Sequence, residues 1–303
     1  MKSRILSLIL IITFSYQSKA QTPVKLSTDQ FRFIEGPAWD GSEFIYFSDI
    51  PAKKVYKYSV TNNTFALAFD NNIDGCNGLM FDQDYNLVVC GFRAGNIARR
   101  KVDGTLIETL FTEYKEKRFD NPNEVCIDKK GGIYFTDPTR RNPPFQSKRR
   151  VYYITPEGKL TVAAESGFTF PNGILISNDA KHLFVNDSDT HDIYTFNINQ
   201  TDGTITNKTV FATLTNAKDG EPKSQADGMA LDTEGNLYVC SKLTIQIFNK
   251  QGTKTGSILF PEQTTNCTFG KPDKKTLFVT ATKNLYSVDL TKTGFQHPFD
   301  LPE

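Results

Sequence analysis

The sequence predicts an all-β fold, a six-bladed β-propeller, on three observations. One unit, an apolar strand, a polar turn and a second apolar strand, occurs six times, with neighbouring copies starting 39 to 55 residues apart. A period in that range built from short strands is the signature of a propeller with one repeat per blade. Gly, Asn, Asp, Thr, Tyr and Phe are plentiful while long helical apolar patterns are missing, and further strand-like runs follow most copies of the unit.

The elements follow in chain order. "MKSRILSLILIITFSYQSKA" places Lys2 and Arg4 before an apolar run from Ile5 to Phe14 and ends on the small residue Ala20. That reads as a secretory signal peptide over 1–20, because the run is too short for a membrane span, and it leaves a single propeller domain over 21–303. The six units are "EGPAWDGSEFIYFSD" from Glu35, "NGLMFDQDYNLVVCG" from Asn77, "NEVCIDKKGGIYFTD" from Asn123, "NGILISNDAKHLFVND" from Asn172, "DGMALDTEGNLYVCS" from Asp227 and "NCTFGKPDKKTLFVT" from Asn266. Third and fourth strands are expected at "KVYKYSV" and "TFALAF" in blade one, "RVYYIT" and "KLTVAA" in blade three, and "DIYTFNI" and "TVFATL" in blade four. Blade six has "NLYSVDL" but little chain left for a fourth strand, so the N-terminal "VKLST" is expected to close the ring. The one compositional break, "PTRRNPPFQSKRR" at 138–150, reads as a solvated loop or as a basic flap at one mouth of the propeller.

Composition narrows the function. Without Lys2, Arg4 and Lys19 the balance is 32 basic to 34 acidic residues, net −2, which gives no reason to expect a nucleic-acid partner. No membrane anchor is expected in the mature chain, and export to the periplasm or the cell exterior is. Of the five cysteines none falls in a C-x-x-C arrangement, and Cys90 and Cys240 each end a strand-like run, so they read as small buried hydrophobes. The oligomeric state is not legible.

Aligning the units puts Glu35, Asn77, Asn123, Asn172, Asp227 and Asn266 at one structural position, all carboxylate or carboxamide. If the first strand of each unit is the innermost of its blade, the six side chains converge on the propeller axis. Convergent carboxylates repel unless a cation lies between them. Two carboxylates and several amide carbonyls, with no His or Cys, suit a hard divalent ion: Ca²⁺ first, Mg²⁺ and Mn²⁺ next, Zn²⁺ last. Turn chemistry is the competing explanation for the Asn-Gly and Asp-Gly pairs, but it accounts for neither Glu35 nor "PNE" at Asn123.

"FIEGPAWD", "PNEV" followed by "GGIYFTDP", "FPNGILIS" and "ADGMALDTEGNLYV" resemble, in order and over nearly all of the mature chain, the signature blocks of the gluconolactonase/regucalcin (senescence marker protein, luciferin-regenerating enzyme) family. The resemblance implies a six-bladed propeller with a divalent metal, usually Ca²⁺, in its tunnel and hydrolysis of a small lactone. It further implies that Glu35, Asn172 and Asp227 bind the metal and that Asn123 lies at the metal and can touch substrate; Glu124 stands where the family usually has Asp. Catalytic roles are expected for Asp227, as general base or water-orienting group, and for Asn123, as donor to the developing oxyanion. Substrate contacts are expected among Arg118, Glu124, Phe170, Asn77 and Asn266, while His182, His191 and His297 share no register with the ring and are not expected to act as bases. Two further readings stand beside the lactonase: an aryl-ester or phosphotriester hydrolase using the same metal, and a non-catalytic binding propeller in which the metal only ties the blades together.

Overall fold

A computed structural model describes residues 21–139, 141–215 and 223–302, so the leader over 1–20 lies outside the described residues. Six antiparallel sheets, each with four strands in simple up-and-down order and one of them with a fifth added from the C-terminal segment, form the blades, and no helix long and apolar enough to cross a membrane is present among the described residues. The innermost strands, in chain order, are Ile34–Trp39, Leu79–Phe81, Val125–Ile127, Pro171–Ile176, Ala226–Asp232 and Thr264–Gly270.

The predicted units are these innermost strands with their neighbours, and local chemistry fixes the turn between them. Asp40, Asp82, Asp128 and Asp232 each turn one carboxylate oxygen onto backbone N–H groups two to four residues ahead, for example Asp40 Oδ1 accepting from Ser42, Glu43 and Phe44 at 2.8–2.9 Å. These Asx turns are why Asp recurs at that point of the repeat. At the other end, the Asp that closes "FSD", "FTD" and "VND" grips the segment leading into the innermost strand. Asp49 accepts from Arg32 and Phe33, Asp137 from Asp120 and Asn121, and Asp187 from Thr169 and Phe170.

Among the described residues the hydrophobic core is a set of wedges between adjacent blades rather than one central mass. Val88, Cys90 and Ile97 of blade two meet Val125, Phe135 and Tyr152 of blade three, and Ala230, Tyr238 and Cys240 of blade five meet Cys267, Phe269 and Val279 of blade six. All five cysteines are free and buried, so Cys90 and Cys240 do serve as small core residues, and burial pushes both thiols up.

Val24–Lys25 pairs antiparallel with Asn284–Asp289 as the outermost strand of blade six, which confirms ring closure by the N-terminal segment. Ser27 Oγ donates to Asn284 Oδ1 at 2.7 Å, Leu26 N to Leu285 O at 2.8 Å, and buried Phe31 packs edge-on against Phe47 at 5.1 Å. Removal of residues 21–30 is expected to lower the melting temperature by roughly 5 °C or more, the response of a chain this size to the loss of about 2–3 kcal/mol. An unchanged melting curve would show that the closure contributes nothing.

The C-terminal segment has no counterpart in the repeat. Gly294–Phe295 pairs with the innermost strand of blade five, on its tunnel side, through Leu231 and Asp232. Beyond it, Gln296 Nε2 donates to Trp39 O, His297 Nε2 lies 2.7 Å from Ile176 O, Phe299 stacks on Tyr85, and Lys274 pairs with Asp300. This tail crosses the end of the tunnel where the Asx turns lie, touching blades one, two, four, five and six, and leaves the opposite end as the way in.

Candidate functional site

Four of the six innermost strands enter the tunnel through an irregularity. The ladder shifts register between Glu35 and Ala38, Pro171 and Ile174, Ala226 and Met229, and Thr264 and Asn266. A bulge at the start of a strand re-aims one side chain without disturbing the rest of the sheet. Here the re-aimed side chains are Glu35, Asn172 and Asp227, which share one cavity, and Asn266, which is aimed deeper into the tunnel.

The glycine after the ring residue has a role that turn chemistry does not describe. A Cβ on Gly36, which sits at φ +55°, would lie 2.4 Å from the backbone oxygen of Asn77, and one on Gly173 would lie 2.3 Å from that of Asp227. The glycine is therefore where neighbouring blades come closest around the axis. Side-chain hydroxyls tie the same seams: Ser48 Oγ donates to Asn77 O at 2.6 Å, Thr136 Oγ1 to Asn172 O at 2.9 Å, and Ser188 Oγ to Ala226 O at 2.5 Å. Each of these ring segments is thus positioned by the blade before it.

A cavity of about 440 Å³ opens at the free end of the tunnel, and Glu35, Asn77, Asn123, Asn172 and Asp227 line it. Asn266 and Glu124 do not. They line a smaller space of about 60 Å³ deeper in the tunnel, and their side chains are bonded to each other, Asn266 Nδ2 donating to Glu124 Oε2. Of the six aligned side chains, the structure therefore brings five to the mouth and turns the sixth inward. Glu124 occupies the position that is glycine in blades one, two, four and five, which is why its carboxyl enters the tunnel below the ring.

The electrostatics of the tunnel are those of acids without cations. Glu35 and Glu124 are buried and Asp227 is half-buried, and among the described residues no Lys or Arg lines either space. Burial pushes the Glu35 carboxyl up to about 7. Burial and then the Glu35 charge push Glu124 up to about 8, while burial and the Glu35 and Glu124 charges push Asp227 well above the carboxylate range. Glu35 and Asp227 hydrogen-bond to each other, two acids sharing a proton where both charges cannot stand side by side.

The donor set fits a hard divalent cation. The Asn172 amide is consumed on one side, Nδ2 donating to Ser188 Oγ at 3.0 Å, and its Oδ1 is buried with no partner; Asn77 Oδ1 is likewise buried and unpaired. A buried carboxamide oxygen without a donor costs about 1–3 kcal/mol unless something satisfies it. Two such oxygens beside two carboxyls that repel is the chemistry of a Ca²⁺ or Mg²⁺ site. Among the described residues no group of three or more His, Cys, Asp or Glu side chains has metal-holding geometry, so any such site depends on the carboxamides.

The wall of the mouth was largely missed from sequence, which singled out only Phe170. Phe33, Ile50, Phe92 and Phe170 form its apolar part, and Ser188, Gln225 and Gln263 complete it. A signal existed in the alignment: Phe33, Phe170 and Gln225 all stand two residues before a ring residue, and Ile50, Phe92 and Ser188 all stand just after a second strand.

Arg118 is not among the mouth residues. It is half-buried on the segment leading into blade three, donates to Arg93 O, and lies over the Phe145 ring at 4.9 Å, as Arg141 does at 4.5 Å. Burial and then the Arg141 charge push its guanidinium down. The basic loop joins the second and third strands of blade three, with Gln146 Nε2 pinning it to Lys117 O at 2.5 Å. His182 and His191 lie on blade four outside both spaces. His297 lines the deeper space and is held neutral, burial pushing it down to about 4; it belongs to the tail and so has no repeat register.

The chain is similar to known proteins over most of its length. The SMP-30/Gluconolactonase/LRE-like region matches residues 33–283. A gluconolactonase of Zymomonas mobilis subsp. mobilis is 29% identical over 298 residues, covering 90% of this chain and 82% of that protein. The diisopropyl-fluorophosphatase of Loligo vulgaris is 25% identical over 289 residues, covering 85% and 88%. Among solved structures, a gluconolactonase from Xanthomonas campestris superposes with a TM-score of 0.78 at 28% identity, covering 88% of this chain and 89% of that one.

Proposed function

Since the chain belongs to the SMP-30/gluconolactonase/LRE-like family, we propose that it hydrolyses a small lactone at the open end of its tunnel, with a divalent cation, Ca²⁺ first, held by Glu35, Asn172 and Asp227 and approached by Asn77 and Asn123. The observation that carries this reading is the pair of unpaired buried amide oxygens, Asn77 Oδ1 and Asn172 Oδ1, at the same cavity as two carboxyls that share a proton. When bound, such an ion supplies Lewis-acid polarisation of the lactone carbonyl and a more acidic water.

The roles of the chain's own groups follow from their surroundings. With a cation held at the ring, Asp227 would be a carboxylate placed to orient a water and accept a proton from it. Asn123 is half-buried at the mouth, its backbone held by Asn123 N donating to Thr136 O at 2.9 Å and by its own oxygen accepting from Gly78 N at 2.8 Å. Its side-chain amide is left to donate to an oxyanion developing on the lactone. Glu35 is fixed by accepting from Gly36 N at 3.0 Å, and Asn172 by Ser188, so both hold their oxygens in place rather than move protons.

The test is hydrolysis of glucono-1,5-lactone, γ-butyrolactone and phenyl acetate after chelation and after adding back Ca²⁺, Mg²⁺ or Mn²⁺. Turnover of a lactone that is lost on chelation and restored by one ion is expected. Turnover of phenyl acetate alone would move the reading to ester or phosphotriester hydrolysis, for which similarity to the squid fluorophosphatase is the support. No turnover with any ion, in a protein whose melting temperature still rises with Ca²⁺, would leave a binding propeller with a structural metal.

A further inference from the structure

We infer that the mouth is built for a lactone carrying an apolar ring or chain rather than for a polyhydroxylated sugar lactone, and that Phe33 and Phe170 are the residues that select it. The inference rests on the lactone-hydrolase reading and narrows its substrate class. Phe33 belongs to blade one and Phe170 to blade four, and in a ring of six those blades stand opposite each other. The two residues therefore line the opening from opposite sides, with Ile50 and Phe92 as the rest of its apolar wall among the described residues.

The backbone that carries each ring is held in place before any ligand arrives. Phe170 N donates to Asp187 Oδ1 at 2.9 Å and Phe170 O accepts from Ser188 N at 2.9 Å. Phe33 repeats the arrangement with Asp49 Oδ1 at 3.4 Å and Ile50 N at 3.0 Å. Each phenylalanine is half-buried, so each still has surface to cover, and a flat or branched apolar group between them removes that surface from water.

Among the described residues the polar side of the mouth is thin by comparison. Ser188 Oγ is already engaged by Asn172 Nδ2 and Ala226 O. Above the ring this leaves the carboxamides of Gln225 and Gln263, with Asn123 reserved for the reacting oxygen. A hexonolactone has four hydroxyl groups to satisfy, and each one desolvated without a partner costs about 1–3 kcal/mol.

The experiment compares kcat/KM for γ-phenyl-γ-butyrolactone, γ-butyrolactone and glucono-1,5-lactone in the cation-loaded protein, with Phe33→Gln and Phe170→Gln beside the wild type. Gln225 already occupies the register-equivalent position in blade five, so these variants are compatible with the fold. The phenyl-bearing lactone is expected to exceed the unsubstituted one by about tenfold or more, and each variant to reduce that ratio by about tenfold. Preference for glucono-1,5-lactone, with the ratio unchanged in both variants, would overturn the inference. Calorimetric binding of γ-phenyl-γ-butyrolactone to chelated protein gives a readout free of turnover. Affinity about tenfold weaker in both variants would uphold the aromatic selection even if no lactone is hydrolysed, whereas equal affinity in all three proteins would reject it.

Discussion

Asp227→Asn is expected to lower kcat for lactone hydrolysis by about 10²- to 10⁴-fold, the range ordinarily supplied by a positioned acid–base group. The substitution is nearly isosteric. It removes one of the two paired carboxyls at the mouth, and it keeps an oxygen able to face a cation. Because it also removes one of three mutually repelling acids in the tunnel, the metal-free variant should be at least as stable as the wild type, which separates loss of chemistry from loss of fold. Glu35→Gln provides the contrast: if Glu35 only holds the ion, its activity should be recoverable at higher Ca²⁺ concentration, whereas that of Asp227→Asn should not. Turnover near wild type in Asp227→Asn would remove Asp227 from the chemistry.

Metal-free protein is expected to lose stability as pH rises, the reverse of the usual behaviour of paired carboxylates. Glu35 and Glu124 are raised from an unfolded value of 4.5 to about 7 and about 8, and Asp227 is raised in the same direction. Between those limits the folded chain holds more protons than the unfolded chain, so the stability they provide is complete below about 4.5 and disappears as pH rises through 7 to 8. Asp137, pushed up to about 7 by burial, acts in the same sense. His297 acts oppositely: lowered from 6.5 to about 4, it destabilises the fold only as pH falls below 6.5. The clearest window is therefore pH 6.5 to 8, where His297 is silent and each acid contributes on the order of 1.4 kcal/mol per unit of its shift.

Denaturation in chelator at pH 6.5 and pH 8 should show a fall of several kcal/mol across that window, on the same per-unit cost. Ca²⁺ should raise the melting temperature more at pH 8 than at pH 6.5, because binding requires the deprotonated acids. A flat profile in chelator, or a Ca²⁺ effect independent of pH, would mean that these acids are not the ligands.

Much of the architecture was legible because it is repeated. Six copies of one unit fix the number of blades, and the ring residue of each, next to the close blade-to-blade approach at Gly36 and Gly173, can be aligned without knowing what it approaches. The closing strand was legible by subtraction, since blade six has no fourth strand of its own. Composition and spacing by themselves thus determined an all-β ring with carboxylates and carboxamides around its axis.

Tertiary structure decided what depends on facing a different blade. That Gly36 and Gly173 are demanded by the backbone of the next blade, and not by a turn, is visible only once the blades are side by side. That Glu124 and Asn266 bond below the ring, 142 residues apart in the chain, follows from blades three and six meeting across the axis. The same holds for Phe33 opposite Phe170 and for the tail that brings His297 under the tunnel. Repeats in sequence record what each blade has in common, whereas a site at the centre of a ring is made from contacts between unlike blades, and those are set by closure.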